Sequence, residues 1–272
     1  MNINRRDMLR LGLGSVILSA SSAAPSFLLA ADAKKIPLCL QMYSVRKDFH
    51  ADPAKTMEAV AKMGYDGVEY AGYPCSIKEL KKLQDDNGLM CSGSHLSRDK
   101  IENLETLKQT IEDHLTLGAK FMVCSWMKND TEQDWIDAAK KFSAAAEVAK
   151  TFGLFVGYHA HGHDFDKLPN GLTTWEIFGN NSSKDVQLQM DTSNCPNNPY
   201  YFIEKYPGRS KTVHLKETNM KVMGEGTIDW KRVFSFCESA GGVETYTIEH
   251  EVQENCLTEV ALCCKAYRKI HG

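Results

Sequence analysis

Three histidines and an aspartate lie within six residues of each other, directly after an apolar run of the chain. They are His159, His161, His163 and Asp164, and the run Leu154-Phe155-Val156 precedes them. Imidazole and carboxylate groups bind metal ions and carry protons. A polar loop with surface histidines would have the same composition. This segment alone therefore does not decide between a functional site and a loop.

Side chains of the same chemical types follow five other apolar runs. They are Glu69; His95; Asp191 with Asn194; His214 with Lys216 and Glu217; and Glu249 with His250 and Glu251. A single polar residue at the end of a strand is common. Three separate runs that end in Asp191, His214 and Glu249 are harder to explain by structure alone. We therefore expect these residues to meet at one site.

Apolar runs and amphipathic segments alternate along the chain after its first 33 residues. The first predicted strand is Pro37–Ser44, and the first long helix is predicted from Asp99 to Leu117, before Gly118. Eight strands that alternate with helices over about 240 residues predict a single-domain α/β fold, the (β/α)8 TIM barrel, over residues 34–272. A doubly wound open sheet is the runner-up. No GxGxxG follows the first strand, so dinucleotide binding has no support.

In a TIM barrel the carboxyl ends of all strands meet on one face, where active sites lie. This arrangement predicts one metal site built from His159, Asp191, His214 and Glu249. Mixed nitrogen and oxygen donors suit a divalent Mn, Co, Fe or Zn ion. The expected chemistry is polarisation of a substrate carbonyl or vicinal hydroxyl pair, which stabilises an enediolate. A flanking carboxylate then takes the proton.

At these residues the chain resembles the sugar phosphate isomerase/epimerase superfamily, the xylose isomerase-like TIM barrels. The resemblance covers nearly the whole chain after its first 33 residues, and it is specific only when its motifs are taken together. The motifs are Gln41-Met42-Tyr43-Ser44, Gly67-Val68-Glu69, Tyr158-His159-Ala160-His161 with Asp164-Phe165, Met190-Asp191-Thr192-Ser193-Asn194, Pro207-Gly208-Arg209, Val213-His214-Leu215-Lys216-Glu217, Gly224-Glu225-Gly226 with Asp229-Trp230, and Ile248-Glu249-His250-Glu251.

The resemblance implies roles for individual residues. Ketose epimerases of this superfamily bind a divalent metal through Glu, Asp, His and Glu at the ends of strands five to eight. Asp191, His214 and Glu249 match that pattern, but His159 stands where the fifth-strand glutamate would be. In those epimerases the two glutamates face each other across the substrate and exchange the proton, so this substitution puts the two-glutamate route in doubt.

Further site residues follow from the same resemblance. The predicted catalytic residues are His161, Asp164, Lys216 and Glu249, with Lys216 neutralising an oxyanion. The predicted substrate contacts are Glu69, His95, Asn194 and Glu251. Arg209 precedes strand seven at the opposite face, and we assign it a structural role.

The N-terminus reads as a leader rather than as part of the fold. Asn4-Arg5-Arg6-Asp7-Met8-Leu9 is a twin-arginine pattern, an apolar stretch runs from Leu11 to Leu29, and Ala31-Asp32-Ala33 resembles a cleavage site. We predict a signal peptide over residues 1–33, cleaved near Ala33, a periplasmic or other extracytoplasmic location, and no stable membrane span after cleavage. A retained membrane anchor is the alternative.

The predicted function is a metal-dependent sugar isomerase or epimerase that acts on a free or oxidised sugar, because sugar phosphates are cytoplasmic. A keto-sugar or keto-glycoside lyase or hydratase that works by β-elimination is the alternative. An endonuclease IV-type nuclease and a non-catalytic sugar-binding barrel are further possibilities.

The net charge of −3 argues against a nucleic-acid partner. Nine cysteines, an odd and scattered set, do not predict a disulfide framework. The resemblance implies homo-oligomers, since this superfamily often forms dimers or tetramers.

Overall fold

A computed structural model describes residues 35–195 and 199–272 of the chain. The predicted leader lies outside these residues. Eight parallel strands alternate with helices and form one barrel, which confirms the predicted fold class. The strands are β1 Leu38–Gln41, β2 Gly67–Ala71, β3 Met90–Leu96, β4 Phe121–Cys124, β5 Phe155–His159, β6 Gln187–Gln189, β7 Thr212–Leu215 and β8 Thr245–Ile248.

The helices pack around the outside of these strands. They are α1 Arg46–Ala51, α2 Pro53–Met63, α3 Ile77–Asp86, α4 Asp99–Glu102, α5 Leu104–Leu117, α6 Glu132–Lys150, α7 Thr174–Asn181, α8 Pro199–Lys205, α9 Trp230–Phe236 and α10 Cys256–Ile270. Short 3-10 turns cover Met42–Val45, Gly162–Phe165 and Thr218–Met220, and a π-helical turn covers Cys237–Gly241.

Hydrogen bonds between β7 and the residues just after β6 nearly close the barrel, because no regular ladder joins β6 to β7. The ladder order runs β6-β5-β4-β3-β2-β1-β8-β7. Across the remaining seam His214 N donates to Met190 O at 2.8 Å, and Asp191 pairs with His214 as an isolated parallel bridge. Two of the predicted metal ligands therefore sit directly on this seam.

Two predicted elements differ from the structure for local reasons. The helix predicted over Asp99–Leu117 is divided into α4 and α5 at Asn103. The Asn103 backbone is extended, and its side chain accepts a hydrogen bond from Glu105 N at 3.0 Å, which begins a new helix. The strand predicted over Pro37–Ser44 ends at Gln41. The Gln41 side chain accepts a hydrogen bond from Tyr43 N, and a 3-10 turn begins there.

The core lies between the strands and the helices, and it contains most of the cysteines. Eight of the nine cysteines are buried, and Cys75 is half-buried. Burial raises the pKa of Cys39 and Cys124 to about 12, so these thiols stay protonated and unreactive. No helix among residues 35–195 and 199–272 is long and apolar enough to cross a membrane.

The close approach of β3 and β4 gives a test of the barrel. A Cβ atom on Gly93 would lie 2.3 Å from the carbonyl oxygen and 2.8 Å from Cβ of Phe121. We expect Gly93→Ala to lower the free energy of unfolding by about 1–3 kcal/mol, because the neighbouring backbone must shift. Urea unfolding measures the change. Gly162→Ala is the control, since its nearest neighbour would be Asn194 O at 3.9 Å. Equal stabilities of the two variants would contradict this strand packing.

Candidate metal centre

The predicted metal ligands meet at the carboxyl ends of four consecutive strands. His159 ends β5, Asp191 follows β6, His214 lies in β7 and Glu249 follows β8. One ligand atom from each residue lies within 4.8 Å of all the others. The four residues are at most 6% exposed, so the group faces inward. The structure therefore brings together the set that the sequence predicts.

The distances within this group suit a single ion. His159 Nε2 is 4.0 Å from Asp191 Oδ2 and 3.9 Å from Glu249 Oε2. His214 Nδ1 is 3.1 Å from the same Glu249 oxygen. Ligand atoms that share one ion at about 2.0–2.2 Å lie roughly 3–4 Å apart. Two imidazoles and two carboxylates could therefore hold a divalent ion without a large rearrangement.

Asp191 provides a second indication that a cation belongs here. Its Oδ1 accepts hydrogen bonds from Ser193 N at 2.9 Å and Asn194 N at 2.8 Å. Its Oδ2 is buried and has no hydrogen-bond partner among the described residues. Burial, with the Glu249 carboxylate nearby, raises the pKa of Asp191 to about 7. An unpaired buried carboxylate oxygen is costly, and a bound cation would supply the missing partner.

The electrostatics at His214 favour positive charge at the same point. Its Nδ1 faces Glu249 and its Nε2 lies 2.8 Å from Glu69 Oε1. Although burial alone would lower it, these two carboxylates raise the pKa of His214 to about 10. A metal ion bound at Nδ1 would take the place of the proton on that atom.

Lys216 and Glu251 lie beside the four ligands, where the sequence predicts them. Lys216 Nζ is 3.9 Å from Asp191 Oδ2, 3.8 Å from Glu249 Oε2, and pairs with Glu251 Oε1. Although burial alone would lower it, Asp191 and Glu249 raise the pKa of Lys216. Lys216 therefore acts as a fixed positive charge rather than as a base.

A cavity of about 520 Å³ opens over the ligand group. His159 and Glu249 form part of its floor, so a molecule in the cavity would reach the metal site. Two exposed aromatic residues lie on its wall, Tyr43 at 41% and Trp126 at 52% exposure. The lining consists of Tyr43, Ala71, Gly72, His95, Leu96, Ser97, Ser125, Trp126, His159, His161, Glu249 and Glu251.

His161 lies on the cavity wall with an unused ring nitrogen. Its Nδ1 is buried and has no hydrogen-bond partner among the described residues. Burial lowers the pKa of His161 to about 4, so the imidazole is neutral at neutral pH and can accept a proton. Its ring lies 5.0 Å from that of His159, which places it beside the ligand group.

Three predicted site residues need correction, because they do not line the cavity: the predicted catalytic residue Asp164 and the predicted substrate contacts Asn194 and Glu69. Asp164 is fully buried, and its carboxylate accepts from Tyr158 OH at 2.9 Å and His161 N at 2.8 Å. Asn194 Nδ2 donates to Ala160 O at 3.0 Å, which ties together the chain after β5 and β6. Glu69 is fully buried beneath the ligands. Of the predicted substrate contacts, His95 and Glu251 do line the cavity.

Three residues that matter for the site were missed from the sequence. Tyr43 and Trp126 were missed because side-chain exposure cannot be read from single residues. Gln189 is fully buried beside His159. It comes two residues before Asp191, so the two-residue period of a strand places it on the same inward face. The two-residue strand period could therefore have identified Gln189 from the sequence.

Arg209 and Glu217 have structural roles and do not line the cavity. Arg209 is buried and donates to Val186 O at 2.8 Å and Gly179 O at 2.7 Å. Glu217 accepts from Gly224 N at 3.0 Å and Trp230 Nε1 at 2.9 Å, which holds the connection between β7 and α9. The structural role expected for Arg209 agrees with these contacts.

Comparisons with known proteins agree with this architecture. The family model described as a xylose isomerase-like TIM barrel matches residues 57–261. A curated inosose dehydratase of Geobacillus thermodenitrificans is 23% identical over 243 residues, covering 71% of this chain and 80% of the relative.

Solved structures give the same result. A sugar phosphate isomerase/epimerase from Parabacteroides distasonis has a TM-score of 0.78 and 24% identity, covering 91% of this chain and 99% of that one. A D-psicose 3-epimerase from Clostridium cellulolyticum, solved with D-tagatose, has a TM-score of 0.66 and 17% identity, covering 86% and 98%. At these identities the structural similarity shows the fold.

Metal analysis tests the ligand group directly. We expect the purified protein to hold about one equivalent of a divalent ion, and Asp191→Ala to lose it while remaining folded. Elemental analysis with circular dichroism measures both properties. His163→Ala is the control, because that side chain is directed at Met127 O rather than at the ligands. Unchanged metal content in Asp191→Ala would contradict the assignment.

Proposed function

Since the chain belongs to the xylose isomerase-like TIM barrel family and is an enzyme, we propose that it uses a divalent ion to remove a proton beside a sugar carbonyl. The observation that carries this proposal is the convergence of His159, Asp191, His214 and Glu249 below an open cavity. These residues would hold a Mn, Co, Fe or Zn ion. Such an ion would polarise the carbonyl and stabilise the negative charge that develops as the neighbouring C–H loses its proton.

Groups that can move or balance a proton stand on two sides of the cavity. The neutral ring of His161 lies on the β5 side and can act as a base. Lys216 and Glu251 form an ion pair on the β7–β8 side. Lys216 can neutralise a developing oxyanion there, and Glu251 can exchange a proton with a substrate hydroxyl.

This arrangement favours elimination or hydration over epimerisation through two glutamates. The fifth strand supplies His159, whose Nε2 faces the ligand carboxylates rather than a substrate carbon. The remaining groups differ in kind, an imidazole on one side and a carboxylate–ammonium pair on the other. Elimination needs such a division, because one group takes the carbon-bound proton while another assists the leaving oxygen. The curated relatives are dehydratases by name, which supports the same reaction class.

Isomerisation or epimerisation is the second candidate, because it begins with the same proton removal. The solved structures with this fold include an L-ribulose 3-epimerase and a D-psicose 3-epimerase. In that case His161 and Glu251 would replace the two facing glutamates. Both candidates share the metal site, and they differ in whether a leaving group departs.

The cavity favours an uncharged sugar over a sugar phosphate. The part of its lining that the structure describes contains Glu249 and Glu251 and neither lysine nor arginine. The nearby Lys216 is already paired with Glu251, and Arg209 is bonded to backbone carbonyl groups elsewhere. Among the described lining residues, a phosphate group would therefore meet two carboxylates and no lysine or arginine. This agrees with the free or oxidised sugar expected from the leader.

We propose that the protein is exported, and the burial of its cysteines supports this proposal. Eight buried thiols would be protected in an oxidising compartment. Expression of the full chain in a host with the twin-arginine pathway, followed by N-terminal sequencing of the exported protein, tests this. We expect a new N-terminus near Ala33, and a full-length chain retained in the membrane would support the anchor instead.

Hydrogen exchange in D2O tests the proposed reaction. The protein, loaded with Mn²⁺, Co²⁺ or Zn²⁺, is incubated with free ketoses, keto-sugars and keto-glycosides, and NMR follows the carbon-bound protons. We expect exchange at the carbon beside the carbonyl and, for keto-sugars, an elimination or hydration product. Chelation should abolish both. Exchange that persists after complete metal removal would contradict the metal-dependent mechanism.

Two variants distinguish catalysis from binding. We expect His161→Asn to lower the exchange rate by about 10²–10⁴-fold, as for loss of a general base, with metal content unchanged. His163→Asn should keep the parental rate. A metal-loaded protein that binds sugars without exchange or product would indicate a non-catalytic sugar-binding barrel. Metal-dependent nicking of abasic DNA would instead indicate a nuclease.

A further inference from the structure

A layer of three fully buried polar side chains lies directly beneath the ligand group. We call Gln41, Glu69 and Gln189 the polar layer, and all three are 0% exposed. They come from β1, β2 and the end of β6. Polar groups so deep in a barrel are costly unless each hydrogen bond is made. The hydrogen bonds of this layer therefore show which atoms must be donors and which acceptors.

Glu69 determines how the two glutamine amides are oriented. An ionised carboxylate can only accept hydrogen bonds. Gln41 Nε2 donates to Glu69 Oε1 at 2.8 Å, and Gln189 Nε2 donates to Glu69 Oε2 at 3.0 Å. Gln189 Nε2 also donates to Thr212 Oγ1 at 3.1 Å. Both hydrogens of the Gln189 amide are thus used, and its oxygen points the other way.

That oxygen faces two histidine rings and must accept from them. Gln189 Oε1 lies 2.9 Å from His159 Nδ1 and 2.8 Å from His95 Nε2. An amide oxygen has no hydrogen to give, so each ring nitrogen that bonds to it must carry one. His214 Nε2 must likewise carry a hydrogen, because it lies 2.8 Å from Glu69 Oε1, which can only accept.

The geometry points to a specific role for Gln189, and this inference rests on the proposed metal site. We propose that Gln189, held by Glu69, is a positioning residue that keeps the proton of His159 on Nδ1. The lone pair of His159 is then on Nε2, the atom that faces Asp191 and Glu249. A flipped amide would place a donor against Nδ1 and move the ring proton to Nε2, where it would exclude a metal ion.

This layer explains how a histidine can stand at the end of the fifth strand in the ligand group. A carboxylate ligand has lone pairs on both oxygens and needs no partner to select them. A neutral imidazole binds metal through one nitrogen, and the hydrogen bond of the other nitrogen selects which one. Metal-binding histidines depend on such partners, whose loss typically weakens metal binding by about 10–100-fold.

Replacing the amide side chain of Gln189 by the thioether of methionine, which is similar in size, tests whether Gln189 positions the proton of His159. We expect Gln189→Met to weaken Zn²⁺ and Co²⁺ binding by about 10–100-fold, measured by competition with a chelating dye at fixed pH. Gln84→Met is the matched control, because Gln84 is also buried, at 1% exposure. Gln84 lies on α3, where it donates to Leu117 O rather than to a residue of the ligand group. The control should lose stability comparably and keep the parental affinity.

The tautomer of His159 can also be observed without any metal. Two-bond ¹H–¹⁵N correlation spectra of the metal-free protein, with ¹⁵N-labelled imidazoles, distinguish a proton on Nδ1 from one on Nε2. His159→Ala identifies the resonance. We expect the Nδ1–H form in the parent and in Gln84→Met, and a shift toward Nε2–H in Gln189→Met.

The possible results separate this inference from the proposed function. A parent that binds no divalent ion would remove the proposed function, while the spectrum would still test the tautomer. Parental affinity together with an unchanged tautomer in Gln189→Met would overturn the inference and leave the metal site intact. If Gln189→Met does not fold, the parent spectrum decides, because an Nε2–H form of His159 would overturn the inference.

Discussion

Buried carboxyl groups are the constraint on which the rest of this structure depends. Glu69, Asp191 and Glu249 lie inside one barrel at 0%, 0% and 6% exposure. An ionised carboxylate in such surroundings costs several kcal/mol unless charges and hydrogen bonds compensate it. Glu69 is satisfied by amide and imidazole donors, whereas Asp191 keeps one oxygen without a partner. The barrel thus carries a cost that a bound cation would remove.

The sequence predicts the fold well because the fold is a repeat of one pattern. Alternating apolar runs and amphipathic segments predict the barrel, and the carboxyl ends of its strands predict where chemistry collects. This reasoning correctly brings His159, Asp191, His214 and Glu249 together. Arrangements that depend on only one side chain, such as the break at Asn103 between α4 and α5, were not predicted.

The sequence predicts the face of a strand better than the depth of a residue in the barrel. Glu69 and His95 both end predicted strands, yet Glu69 is buried beneath the ligands while His95 reaches the cavity. The stagger between neighbouring strands sets these depths, and no single strand contains that information. Asp164 was misassigned for a related reason, since the turn after β5 directs its carboxylate inward to Tyr158.

The central claim is that two imidazoles and two carboxylates of this chain hold one divalent ion. Hydrogen bonds to Gln189 and Glu69 orient the two histidine rings. X-ray absorption of the Zn²⁺- or Co²⁺-loaded protein tests the central claim most directly, because imidazole rings give a distinctive multiple-scattering signal. We expect about two imidazole nitrogens, with oxygen ligands completing a shell at about 2.0–2.2 Å. An ion surrounded only by oxygen, without imidazole scattering, would contradict the claim and with it the proposed catalytic site.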